Sequence, residues 1–394
     1  GNHPSFVLMT YGNEPSGPRH EEYLRGWLEH FKRLDQRRKY TCASGWPVLV
    51  ESDFHVMPGP RIQHWEEQLR SRIHAHPPDT AADYRHSVAR FKVPVISHEI
   101  GQWCVYPNFE EIPKYTGFLK ARNFEIFRDF LEANHMGGCA RDFLMASGKL
   151  QTLCYKEEIE SALRTSGMGG FQLLDLHDFS GQGTALVGVL DAFWDSKPYV
   201  TATEFRRFAC ETVPLARMAK RVFTLNEIFT ATIEVTHYGP TDLIDTPLHW
   251  MLMDNKGKKI ADGDLPTKQI PTGQLTLLGE VAVPLTEIDA PAKLNLEVWL
   301  DGTDYANDWD IWVYPQRAAA DFSSNVSPIR VVQSLEQATV EYLGTGGNVL
   351  LLVSPERVDE KSVIGFAPVF WNTAWACGQA PHTLGLLCEP EHPA

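Results

Sequence analysis

The chain has 394 residues, of which 43% are hydrophobic and 22% charged, enough apolar material for several folded domains and too much for bulk disorder. Asp and Glu outnumber Lys and Arg by 50 to 36, and the net charge of −14 argues against the clustered positive surface that nucleic acid or an anionic membrane requires. No apolar run approaches the ~20 residues of a membrane-spanning helix. The reading is a soluble, acidic, multidomain chain with neither nucleic acid nor membrane as a partner.

In chain order, residues 6–11 read as a buried strand that breaks at Gly12-Asn13-Glu14-Pro15. Tyr23, Leu24, Trp27, Leu28, Phe31 and Leu34 then recur at spacings of three and four, the mark of an amphipathic helix. Residues 40–43 and 48–56 are strand-like, and 65–73 suit a further helix. Residues 93–97 form another apolar run, ending in the polar pair His98-Glu99 and Gly101. Phe118, Leu119, Phe124, Phe127, Phe130 and Leu131 fit one helix, 159–163 part of another, and Gly169-Gly170 opens a strand over 171–176. Strands alternating with helices, apolar on both faces, predict a parallel sheet with helical crossovers.

After Pro214 the period changes to two. Phe229, Ala231, Ile233 and Val235 alternate with polar residues, and Leu294, Leu296, Val298 and Leu300 repeat the pattern, as in a β-sandwich. From about residue 316 a strand (329–332), a capping box at Ser334-Leu335-Glu336-Gln337 and a second strand (348–353) read as the front of an α/β domain. The expected domains are therefore 1–214, 215–315 and 316–394.

The seven cysteines, Cys42, Cys104, Cys139, Cys154, Cys210, Cys377 and Cys388, include no C-x-x-C spacing and are read as small apolar side chains. No metal or cofactor is expected. Gly344-Thr345-Gly346-Gly347 precedes a strand where a dinucleotide loop would have to follow one.

Two carboxylates stand where an apolar strand meets a polar loop, Glu14 and Glu99. In a parallel barrel the C-terminal strand ends converge on one face, so these two can meet. A pair of carboxylates is what glycoside hydrolysis needs: one acid to protonate the leaving oxygen, and one to attack the anomeric carbon or activate water.

The run from Gly1 through Asn2-His3-Pro4-Ser5 to Gly12-Asn13-Glu14 resembles the signature of glycoside hydrolase family 2, and residues 95–101 resemble that family's motif at barrel strand 7. The resemblance covers about residues 1–214. It implies that Glu14 is the general acid/base, that Glu99 is the nucleophile and that Asn13 hydrogen-bonds the sugar 2-hydroxyl. It also implies the architecture: strands 4–8 of a (β/α)8 TIM barrel, an immunoglobulin-like β-sandwich and a partial flavodoxin-like α/β domain. By the same resemblance, three barrel strands and further β domains would precede residue 1. This chain departs from the family in having His98 before the nucleophile, where Thr or Ser is usual, and Ile100 after it, where Tyr or Phe is usual. The N-x-K triplet of the family's β-glucuronidases is absent.

Further candidate sugar contacts are His55 at the end of its strand-like run, His98, and Trp103 as a stacking platform. His177 and Asp178, at the end of the last strand, are candidate hydroxyl ligands. On a regular strand His98 would point away from Glu99. The expected function is a retaining exo-β-glycosidase, β-galactosidase-like, that removes a terminal neutral sugar from an oligosaccharide or glycan. The alternative is a non-catalytic carbohydrate-binding relative, or an inactive fragment of such an enzyme. Homo-oligomerisation stays open, and export to the periplasm or medium is what the resemblance implies.

Overall fold

Short parallel strands carry the first part of the chain. β1 (Leu8–Thr10) pairs with β2 (Lys39–Thr41), Leu8 opposite Lys39. Isolated parallel bridges, Asn13 to Ser44 and Ser44 to Val56, extend that pairing and join it to β3 (His55–Met57). β3 pairs with β4 (Val95–Gly101), and β4 with β5 (Met168–Leu174), both in parallel. Five strands thus lie side by side in chain order, each beside its sequence neighbours. The computed structural model describes residues 2–62, 72–179, 185–267, 269–316, 329–357 and 387–388. Residues up to 314 belong to one compact unit and 315–365 form a second.

Helices cover the array. α1 (His20–Leu34) carries Glu21 and Glu22 in its first turn and Lys32 and Arg33 in its last, matching the helix dipole. Leu24 and Leu28, four apart, bury against Tyr40, Cys42, Ala43 and Leu49. Tyr23 and Leu34, expected on the same face, stay exposed because the covered stripe is narrower than the apolar one. The short helices α2 (Arg72–Ala75) and α3 (Arg85–Val88) precede β4. α4 (Arg122–Ala133) and α5 (Ala140–Leu163) follow it, and Tyr155, Ile159 and Ala162 of α5 pack with Val95, Ile100 and Met168.

α6 (Ala202–Arg206), opened by a Thr201–Glu204 capping box, leads into two facing sheets. One holds β6 (Thr212–Arg217), β8 (Ile228–His237) and β13 (Gln274–Pro284). The other holds β7 (Val222–Thr224), β10 (Leu248–Asp254), β11 (Lys259–Leu265), β14 (Ala292–Leu300) and β15 (Ala306–Tyr314). A small pair, β9 (Leu243–Ile244) with β12 (Gln269–Ile270), stands apart. The expected period-two residues Phe229, Ala231, Ile233 and Val235 meet Leu294, Leu296, Val298 and Leu300 in one core. Glu160 of α5 joins this sandwich to the helical layer: buried, it accepts hydrogen bonds from Asn307 Nδ2 (2.9 Å) and Trp309 Nε1 (3.0 Å) and pairs with Lys156 (2.8 Å) and Arg164 (3.2 Å). Four partners offset the desolvation of one charge.

In the second unit β16 (Ile329–Val332) and β17 (Asn348–Leu351) pair in parallel across α7 (Gln337–Gly344). Several sequence expectations are corrected. The strand expected over 48–56 is confined to His55–Met57, since 48–54 turn. Phe118 and Leu119 precede α4 and are exposed. Glu336 stands at the N-cap of α7, and no side chain caps that helix, so Ser334 does not head a capping box. The helix expected over 65–73 lies mostly outside the described residues.

Candidate active site

Glu14 sits in the loop after β1, its N–H donating to the Ser44 carbonyl at 2.9 Å while Ser44 N–H donates to Gly12. Its φ of +48° is unusual for a residue with a side chain. Gly45, next to Ser44 in the loop after β2, has φ +90°, and a Cβ there would stand 2.7 Å from Glu14 Cγ and 3.2 Å from His98 Cδ2. Glycine is what lets Glu14 and His98 close over that backbone.

The second carboxylate comes from β4. Its pairing with β5 slips between Ser97 and Ile100, and Glu99 has φ +52°. The slip breaks the alternation of a regular strand, so His98 and Glu99 turn toward the same space and the expected opposition is overturned. His98 Nε2 lies 3.5 Å from Glu14 Oε1 and 3.4 Å from Glu99 Oε1. One donor atom from each of the three residues falls within 4.8 Å of the others. Both carboxylates are partly open, with side-chain exposures of 31% for Glu14 and 27% for Glu99, whereas His98 is at 4%.

Arg61, after β3, reaches the Glu99 carbonyl at 3.5 Å, and Gln172 Oε1 on β5 faces His98 Nδ1 at 3.3 Å. Beneath them Glu158 of α5, buried, accepts from the N–H groups of Ile62 (2.8 Å) and Gly101 (3.3 Å) and so ties the loops after β3 and β4 together. The Glu14 carboxyl is raised above its usual range, first by burial and then by the charge of Glu99; His98 and Arg61 pull the other way. Among the described residues this is the one cluster of three or more carboxylate, imidazole or thiol groups with the spacing of a cation site. Its two carboxylates stand at strand ends and are partly open, and the Glu14 carboxyl is raised.

The remaining predicted residues divide. Asn13 is exposed immediately before Glu14 and bridged to Ser44. His55 is buried at the start of β3, opposite Val95 and edge-on to Phe91 at 4.9 Å, at the end of the strands away from Glu99. Burial lowers its pKa. It packs in the interior and does not reach Glu99. Trp103 is wholly buried among Ile100, Tyr155 and Ile159 and cannot stack on a sugar. Asp178 is buried in an ion pair with Lys197 at 2.7 Å and accepts from Gly188 N–H, so it braces the loop after β5 and is not a hydroxyl ligand. His177 is half-buried, its ring 4.6 Å from that of Trp194 and its Nδ1 2.8 Å from the Asp178 carbonyl.

Gly45, Arg61 and Gln172 escaped the sequence reading. Gly45, in Ser44-Gly45-Trp46-Pro47, carried a turn signal; Arg61 and Gln172 carried none.

Comparison with known families matches residues 227–315 to Domain of unknown function (DUF8488) and 330–394 to Domain of unknown function (DUF8487). No curated protein matches. Among solved structures, the exo-chitosanase CsxA of Amycolatopsis orientalis is 13% identical over 80% of this chain and 37% of its own, with a TM-score of 0.45. The FMN-binding β-glucuronidase of Facaelibacterium prausnitzii L2-6 is 12% identical over 80% of this chain and 42% of its own, with a TM-score of 0.30. Spo0M, a sporulation control protein of Bacillus subtilis, is 15% identical over 27% of this chain and 50% of its own, with a TM-score of 0.22. The chain thus spans half or less of the length of each. With TM-scores this low, the functional reading rests on the site itself.

Proposed function

We propose that the protein is a retaining exo-β-glycosidase acting on a terminal neutral sugar of an oligosaccharide or glycan. In this reading the five parallel strands are part of a (β/α)8 barrel, followed by an immunoglobulin-like sandwich and part of an α/β domain. The observation that carries the reading is the approach of Glu14 and Glu99, with carboxyl oxygens within 4.8 Å. Retaining enzymes hold their carboxyl groups about 5–5.5 Å apart, whereas inverting ones need about 6.5–9.5 Å to admit a water.

Glu14, its carboxyl raised first by burial and then by the charge of Glu99, donates its proton to the glycosidic oxygen as the bond to the aglycone breaks. Glu99 attacks the anomeric carbon from the other face and forms a glycosyl ester. The ester removes the part of the Glu14 shift that the charge of Glu99 adds to burial, and Glu14 then accepts a proton from the water that releases the sugar. In this reading Asn13, exposed beside Glu14, hydrogen-bonds the sugar 2-hydroxyl.

The test is a panel of aryl β-glycosides (galactoside, glucoside, mannoside, glucuronide and arabinoside). Turnover of a neutral sugar that falls by at least about 10³-fold in Glu99→Ala supports the reading. Wild-type rates in that variant, or no turnover of any member, would contradict it.

A further inference from the structure

The imidazole of His98 is not required by the double displacement just described, yet the fold brings it between the two reacting carboxylates. It is buried at 3% exposure, and Nε2 makes no closed hydrogen bond, standing 3.5 Å from Glu14 Oε1 and 3.4 Å from Glu99 Oε1. An unpaired buried ring nitrogen is costly and calls for a partner that arrives with a proton or with substrate. The other nitrogen is already engaged. Nδ1 faces Gln172 Oε1 at 3.3 Å, and an amide oxygen can only accept, which favours the neutral tautomer with its proton on Nδ1. Nε2 then presents a lone pair to two carboxylates. That arrangement is favourable only when one proton is shared among the three groups.

We propose that His98 and Glu14 share a single proton, and that Gln172 positions the ring so that the sharing occurs through Nε2. This inference rests on the glycosidase reading for its purpose, though not for its chemistry. In one arrangement Glu14 is a carboxylic acid whose O–H donates to Nε2, while Glu99 is ionised and ready to attack. In the other the proton has moved to Nε2, and an imidazolium bridges two carboxylates. The move makes one N–H bond and breaks one O–H bond, and the net charge of the trio is unchanged. An imidazolium at Nε2 favours the ionised form of Glu14, but the shared proton leaves the pair as a whole only at a higher pH than either group would release it alone. His98 is thus a positioning residue that extends the range over which the general acid stays loaded.

The groups that face the ring come from four elements. Glu14 follows β1, Arg61 follows β3 with its guanidinium at the Glu99 carbonyl, Glu99 lies on β4 beside His98 itself, and uncharged Gln172 lies on β5. Glu158 lies beneath, held by two backbone N–H groups. The positive charge of Arg61 opposes an imidazolium and the two carboxylates favour it, which keeps the two placements of the proton in competition.

The test is an NMR titration of the His98 ring in the whole protein, its signal assigned by loss in His98→Asn. A shared proton predicts that Glu14→Gln moves the ring titration down by about one pH unit or more, since the carboxylate partner is gone. An unchanged ring titration overturns the proposal, whether or not any glycoside is hydrolysed. A shifted titration in a protein that hydrolyses no sugar keeps the proposal and removes the glycosidase reading. Where turnover is measurable, the basic limb of kcat/KM moves to lower pH in His98→Asn. It moves to higher pH in Gln172→Glu, whose carboxylate has no N–H to present and makes the ring more basic. Rate losses in both variants with the limb fixed would show a merely structural histidine and would also overturn the proposal.

Discussion

Glu14 and Glu99 meet across the ends of two strands with their carboxyl oxygens within 4.8 Å, and each reaches that position through a positive φ, +48° for Glu14 and +52° for Glu99. Strain of this kind persists only where the surroundings enforce it. Here the enforcers are the Ser44 carbonyl that holds Glu14 N–H, the slip in β4–β5 pairing, and the absence of a side chain at Gly45.

Gly45 offers the sharpest mutational test of this geometry. In Gly45→Ala the new methyl would stand 2.7 Å from Glu14 Cγ, at a φ of +90° that alanine tolerates poorly. A displacement near 1 Å at a reacting group costs about 10²-fold in rate. The expected outcome is a fall in kcat of at least that size with a near-native circular dichroism spectrum.

The charge of Glu99 is one of the two main reasons the Glu14 carboxyl is raised. Glu99→Gln therefore lowers the Glu14 titration, read by carboxyl-carbon NMR, while leaving the part due to burial. No movement would mean that the two carboxylates do not sense each other.

Two buried carboxyl groups other than Glu14 and Glu99 contribute to the pH dependence of stability. Burial pushes both Glu111 and Glu158 up to about 7. A raised folded pKa stabilises the protonated form, so this contribution is complete below the ordinary carboxylate range and is lost as pH rises toward 7. Glu111 Oε2 is buried without a partner, and Glu111→Gln removes the charge that forms there at high pH. Thermal melts are expected to show Tm raised by several degrees at pH 8 and little changed at pH 5.

Trp103 tests the distinction between packing and binding. It is buried to 0% exposure, so Trp103→Phe loses core contacts and lowers Tm while leaving KM for an aryl glycoside unchanged. A several-fold rise in KM with an unaltered Tm would return Trp103 to the sugar site.

The sequence made some of this legible and left the rest to tertiary structure. An apolar strand that breaks on a polar residue is a local signal, and Glu14 and Glu99 were read from it. The period-two runs of β8 and β14 were equally plain, because one buried face repeats every second residue. The direction of His98 is not legible in the sequence, because strand alternation assumes a regular ladder and the slip beside Glu99 has no signature in a single chain. The burial of His55 and Trp103 is hidden for a different reason: a histidine or tryptophan near a strand end looks the same in sequence whether it faces a pocket or the core. Arg61 and Gln172 arrive from distant loops and strands through the fold alone.

The most direct test of the central claim is covalent trapping. The protein is incubated with an activated 2-deoxy-2-fluoro analogue of the sugar that the glycoside panel identifies, digested, and mapped by mass spectrometry. The account predicts one glycosyl group per chain, carried on Glu99. A label on any other residue, or continued turnover with no label formed, would contradict it.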